Sequence, residues 1–262
     1  MTKLKTIAKN SDIDWSSAIY MVDTGTRLSH DFELSPIDFL NFARNDLSTN
    51  TPRNIVNSLS NAKRCIDCET DKFLAATNIN LKSSNTLDFI RKHPFVKSSD
   101  APIKLQLLQA LNIAPIGVIS KYRKFRHNLE HDYRLPKYDN ALEAIDIAHM
   151  FMGCIDNYLN VFIDNFNIGS KKNPIYTKEQ RFLFTLIISF DANKGFEITS
   201  FHPTNPRKSC KILNSDPEYI PLLQISISLG LENNLREAHS SLVDAMGLTI
   251  PKKTHKPKMQ FA

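Results

Sequence analysis

The chain has 262 residues, 42% of them hydrophobic and 23% charged, with a formal net charge of +6. That length supports a substantial core, whereas 7 glycines are too few for a Gly-rich phosphate cradle, and neither dinucleotide-binding nor P-loop spacing occurs. No apolar run approaches the ~20 residues of a transmembrane helix, and residues 1–10 lack the apolar stretch of a signal peptide, so a cytoplasmic protein without membrane contact is expected.

In chain order, residues 1–34 stay unassigned, because Trp15, Ile19, Tyr20, Met21 and Val22 fit a short helix or a strand equally well. Ser35-Pro36 predicts a helix start, with Ser as N-cap and Pro at the first helical position. Phe39, Leu40 and Phe42 give that helix an apolar face. Thr51-Pro52 repeats the signal, and Ile55, Val56, Leu59, Ala62, Ile66, Phe73 and Leu74 then recur at helical spacing to about Ala76. The pair Cys65-Ile66-Asp67-Cys68 has a metal or redox spacing, but it lies inside this helix, where positions i and i+3 simply share a face. With one such pair and no further ligands nearby, Cys65, Cys68, Cys154 and Cys210 are expected to be ordinary reduced thiols without a metal.

Shorter helices are predicted over 86–92 and over 102–111, the second carrying Ile103, Leu107, Leu108 and Leu111. Pro115 opens a helix that runs to about Tyr133 and is closed by Pro136. Asp139 caps the longest helix, 140–167. Its stripe is Leu142, Ile145, His149, Met152, Leu159, Ile163 and Phe166, and His149 reads as a hydrogen-bonded core histidine. Asn167-Ile168-Gly169-Ser170 reads as the stop. After the linker-like residues 171–174 the pattern changes to a β-branched run at 182–190, the turn Ala192-Asn193-Lys194-Gly195, and an alternating segment at 196–201. Two more strands are predicted at 211–213 and 222–229 and a last helix at 231–246. Residues 251–262 read as a disordered basic tail. The expected architecture is mainly α: an antiparallel helical bundle over 35–170, followed by a small α+β module over 175–250.

Charge is distributed unevenly. Residues 1–100 carry 13 basic and 12 acidic side chains, whereas residues 101–136 carry 6 basic and 2 acidic ones. Lys121, Arg123, Lys124 and Arg126 fall within six residues. Such a cluster suits a polyanion, because neutralising phosphates releases counterions; charge alone favours the plainer reading, a solvated helix face.

Within 116–133, Val118, Tyr122, Phe125 and Leu129 step by four, three and four, which predicts an inward stripe. The other positions present Arg123, Lys124, Arg126, His127, Asn128, Glu130 and His131. Cutting an RNA backbone without a metal needs a base for the 2′-hydroxyl proton, an acid for the leaving oxygen and a cation for charge on the phosphorane. Histidine titrates near neutrality and serves the first two; arginine, planar and always charged, serves the third. At 100° per residue Arg126 and His131 stand ~140° apart around the axis. One helix therefore makes a poor site, whereas two copies facing each other across a two-fold axis complete one. The plainer alternatives are an Arg126–Glu130 pair worth a few tenths of a kcal/mol and a His127–His131 metal pair, for which no third ligand is evident.

The segment Arg126-His127-Asn128-Leu129-Glu130-His131 resembles the R-x-x-x-x-H signature of the HEPN (higher eukaryotes and prokaryotes nucleotide-binding) superfamily. So do its surroundings, Asp132-Tyr133-Arg134-Leu135-Pro136 and then a long helix beginning Ala141-Leu142-Glu143-Ala144. The resemblance covers roughly residues 36–168. It implies a dimeric HEPN-like helical bundle and, in many members, metal-independent endoribonuclease activity in toxin–antitoxin or antiviral systems, with no cofactor. By position, Arg126 would contact the scissile phosphate and His131 would act as acid or base. His127 and Asn128 would assist, while Lys121, Arg123 and Lys124 would bind RNA. Tyr133, two residues after His131, matches the tyrosine that a nucleotidyltransferase antitoxin adenylylates in some HEPN toxins, which implies a regulatory partner encoded nearby. Other HEPN domains are non-catalytic scaffolds, so a nucleic-acid or protein binding module is the alternative expectation. A protein whose strand module adds to a partner's sheet is a third.

Overall fold

The computed structural model describes residues 2–9, 11, 13–93, 96, 101–114, 116–119, 129, 131–170, 185–201, 206–251 and 254–261. The chain divides into two compact units. A sheet unit takes Met1–Leu28, Thr77–Asp88 and Asn160–Ala262; a helical unit takes Ser29–Ala76 and Phe89–Leu159.

The sheet unit is built on β1 (Ala18–Thr26), β2 (Phe162–Ser170), β3 (Thr185–Asp191), β4 (Gly195–Phe201), β5 (Lys208–Ile212) and β6 (Lys258–Phe261), in the order β5-β4-β3-β2-β1-β6. Every pairing is antiparallel except β1 with β6. Alternation sets the faces. In β3, Leu186 and Ile188 are fully buried while Ile187 between them is exposed, as a period of two requires. The register lines up Val22, Phe166, Ile188 and Ile198 across four strands, a cross-strand ladder that fixes the pairing. The β3–β4 turn falls where Ala192-Asn193-Lys194-Gly195 predicts it. The Asp191 carboxylate accepts from the Asn193 and Lys194 amides, and Gly195 adopts φ +81°. A Cβ there would stand 2.3 Å from the Ile212 carbonyl oxygen, so only glycine fits.

Three helices complete this unit: α1 (Lys3–Ala8), α7 (Tyr219–Gly230) and α8 (Leu235–Ala245). α7 packs on β2 and on α8, and all of its residues from Tyr219 to Leu229 are buried. Each Leu or Ile so buried contributes about 1.5–3 kcal/mol.

In the helical unit, α2 (Pro36–Leu47) and α3 (Pro52–Ala76) pack on each other. Ser35 starts α2 with a capping box in which the Asp38 carboxylate accepts from the Ser35 amide at 2.8 Å. The Ser35 hydroxyl, which also donates to this carboxylate, and then the Ser35 amide hold the Asp38 carboxyl below its ordinary value. α4 (Ser84–Lys92) begins in the sheet unit, to which its residues up to Asp88 belong, and ends in the helical unit, where α5 (Ile103–Ala110) and α6 (Tyr138–Asn160) follow. α5 ends in a Schellman motif: Asn112 takes φ +58°, and the Ile113 and Asn112 amides donate to Leu108 and Gln109 carbonyls.

The mainly α expectation, a HEPN-like antiparallel bundle followed by a small α+β module, is therefore corrected. The chain is α/β with a six-stranded mixed sheet. Three local differences produce this. First, residues 162–167 continue the helical spacing of α6 through Ile163 and Phe166 but form β2, because β1 and β3 flank the segment and pair with its backbone on both edges, a tertiary contact that overrides the local spacing. Second, residues 222–229 form a helix rather than a strand. Gln224, Ser226 and Ser228 alternate with Ile225, Ile227 and Leu229 and imitate a two-faced strand, yet these polar residues are buried too. Third, residues 258–261 pair with β1 instead of lying disordered.

Candidate functional site

Of the residues singled out in the sequence, Lys121, Arg123, Lys124, Arg126, His127 and Asn128 lie outside the described residues. Their flanks are described. Residues 116–119 are helical, as are Leu129 and His131, after which 133–137 are irregular. The predicted inward stripe is not the buried one at either flank: Val118 is exposed and Leu129 half-buried, whereas Ile116 and Ile119 are buried. His131 is exposed where this helix ends.

Tyr133 is 88% exposed and has φ +53°. An aromatic residue in the left-handed region is an outlier that costs of order 1–3 kcal/mol, and such strain clusters at functional sites. Leu135, Tyr138 and Leu142 follow as exposed large side chains. His149, expected in the core, is exposed instead on the face of α6 that carries Leu142, Asp146 and Met150. The buried side of that helix is Ala141, Ala144, Ile145, Ala148, Phe151 and Ile155; His149 misses it by one position.

The helical unit also buries an ionic network that the spacing did not draw out. Glu69 on α3 is fully buried. Lys72 Nζ lies 2.6 Å from Asp156 Oδ1 on α6 and 3.4 Å from Glu69 Oε1, and Glu69 Oε2 has no partner among the described residues. Burial, then the nearby Asp156 charge, pushes the Glu69 carboxyl up to about 7, with Lys72 opposing. Cys65 is one turn earlier, its thiol pushed up to about 12 chiefly by burial and then by Glu69. Cys68 is raised for the same two reasons. That is the reverse of what a nucleophilic or redox-active cysteine needs.

A second polar cluster lies in the sheet unit. His239 Nε2 meets the Trp15 carbonyl at 2.8 Å, which requires a proton on Nε2 and leaves Nδ1 to accept from the Tyr20 hydroxyl at 2.7 Å. Buried His255 stands edge-on to His239, ring centroids 5.1 Å apart, and its Nδ1 pairs with Ser240 Oγ at 2.8 Å. Burial, then His255, lowers His239 to about 4. The ring is thus held neutral, as a structural hydrogen-bond bridge. Both clusters had a faint signature: Glu69 shares the α3 stripe with Ile66 and Phe73, and His239 sits beside Ala238 on the stripe that continues to Leu242.

Comparison of the chain with family models, with curated proteins and with solved structures finds no match.

Proposed function

We propose that the chain is a metal-independent endoribonuclease of the HEPN type, a toxin or antiviral-defence effector that acts as a homodimer through a composite Arg126/His131 site. The observation that carries this reading is an exposed imidazole, His131, at a helix end five residues after Arg126 in a basic segment. A group that trades protons with a polymeric substrate has to reach solvent, and His131 does. Arg126 contacts the scissile phosphate, His127 and Asn128 position it, and Lys121, Arg123 and Lys124 hold flanking phosphates. The strained, exposed Tyr133 supports a role in regulation, because its hydroxyl is open to transfer of a nucleotidyl group from a partner encoded nearby.

The test is cleavage of single-stranded RNA in EDTA. His131→Ala is expected to reduce cutting by at least about 100-fold while the circular dichroism spectrum stays the same. Cutting that continues undiminished in the mutant ends the proposal. The basic segment also favours a second reading, a non-catalytic nucleic-acid binding module. It predicts RNA retention that falls steeply with salt and no cleavage in the wild type.

A further inference from the structure

The outer face of α6 carries a row with a regular step. Leu142, Asp146, His149 and Gly153 follow at intervals of four, three and four, and all four are exposed. That spacing aligns them along about 16 Å of one helix side. Tyr138 and Met150 flank the row, 40% and 47% exposed, and Leu142 within it is 42% exposed. Three large apolar side chains grouped on one face exceed the scattered exposure that any surface shows. Gly153 is the least expected member. A glycine inside a helix costs about 0.5–1 kcal/mol relative to alanine. Its own chain does not use the space, since a Cβ there would meet nothing within 4 Å. The missing side chain leaves room for one that arrives from outside.

We infer that two copies of the chain meet through this face, their α6 helices antiparallel across a two-fold axis. The row itself selects the partner. Its spacing is the same in both directions, so an axis midway between Asp146 and His149 lays the row on its own copy in register. Leu142 then covers the partner's Gly153, Asp146 faces the partner's His149, and each contact occurs twice. An imidazole N–H donates to a carboxylate whether the ring is neutral or charged, so the polar pair is satisfied. The neighbouring registers are worse: an axis at Asp146 sets two carboxylates together, and an axis at His149 two imidazoles. A parallel pair sets like on like along the whole row. This contact rests on the homodimer proposed above and gives it a surface.

Sedimentation velocity of the full chain tests this. The wild type is expected to dimerise with a Kd below about 100 µM. H149D sets acid against acid across the axis, and D146K/H149K sets lysine against lysine. Each alone is expected to weaken dimerisation at least about tenfold. Mixed in equal amounts, the two variants place opposite charges at both contacts and are expected to restore a dimer with one chain of each. Gly153→Leu has open space in its own chain and is expected to weaken the dimer at least about tenfold with an unchanged circular dichroism spectrum. A wild type that stays monomeric overturns this contact and the homodimer together. Variants that dimerise as well as the wild type, or a mixture that stays monomeric, overturn the contact alone.

Discussion

Acidification should loosen the sheet unit at one identifiable residue. His239 donates from Nε2 and accepts at Nδ1, so a second proton would aim an N–H at the Tyr20 oxygen and place a positive charge beside the second imidazole, His255. The folded ring sits at about 4 against an ordinary 6.5. Below pH 6.5 the unfolded chain therefore binds a proton that the folded chain refuses. The contribution is present in full above pH 6.5 and is lost as pH falls toward 4. At about 1.36 kcal/mol per pH unit that gap amounts to roughly 3 kcal/mol, and because the ring is fully buried no solvent discount applies. Trp15, the only tryptophan in the chain, is stacked on His239 with centroids 6.4 Å apart, so its fluorescence reports unfolding of this unit. Urea titrations from pH 8 to pH 4 should show the wild type losing roughly 3 kcal/mol more than His239→Gln. Parallel pH profiles for the two proteins would refute the argument.

The buried carboxyl of Glu69 runs the other way. Its folded value, about 7, lies above the ordinary 4.5, so its contribution is full below pH 4.5 and is lost as pH rises through 7. Glu69→Gln should remove a loss on the order of 3 kcal/mol from the helical unit across that window, read by helical circular dichroism during urea unfolding. Gly230→Ala should lower the melting temperature by roughly 10 °C, because the new methyl group would stand 1.9 Å from the Val161 carbonyl oxygen, with backbone on both sides of the clash. A melting curve superimposable on the wild type would contradict that contact.

Local signals in the sequence translated well where one element decided its own fate. Ser35-Pro36 and Thr51-Pro52 start α2 and α3 where expected, and Asn193-Lys194-Gly195 turns β3 into β4. Signals failed where a distant partner decided. β2 continues a helical spacing and becomes a strand only because β1 and β3 flank it; β6 has a tail-like composition and is held by β1. Helix stops were also obscured by the shortage of glycine. Asn50, Asn78 and Asn112 take the left-handed conformation just past helix ends, a role in which Asn is the next best residue. Of the candidate site, a helix end just before Pro136 was legible, but the helix stops at His131 rather than running to Tyr133, and the strain at Tyr133 was not legible, because nothing in Asp132-Tyr133-Arg134 announces a positive φ.

The strand order has a consequence for synthesis on the ribosome. β1 and β2 are neighbours in the sheet, yet about 150 residues separate the pairs Ala18–Ser170 and Met21–Asn167. At ~5–20 residues per second the first strand waits roughly 8–30 seconds for its antiparallel neighbour, and longer still for β6 at the far end of the chain. The intervening helices α2 and α3, adjacent in sequence and packed on each other, can assemble during that interval. Until β2 emerges, the bare edges of β1 are open to capture by other nascent chains, so translation speed through residues 29–159 sets how long this protein is vulnerable to mispairing.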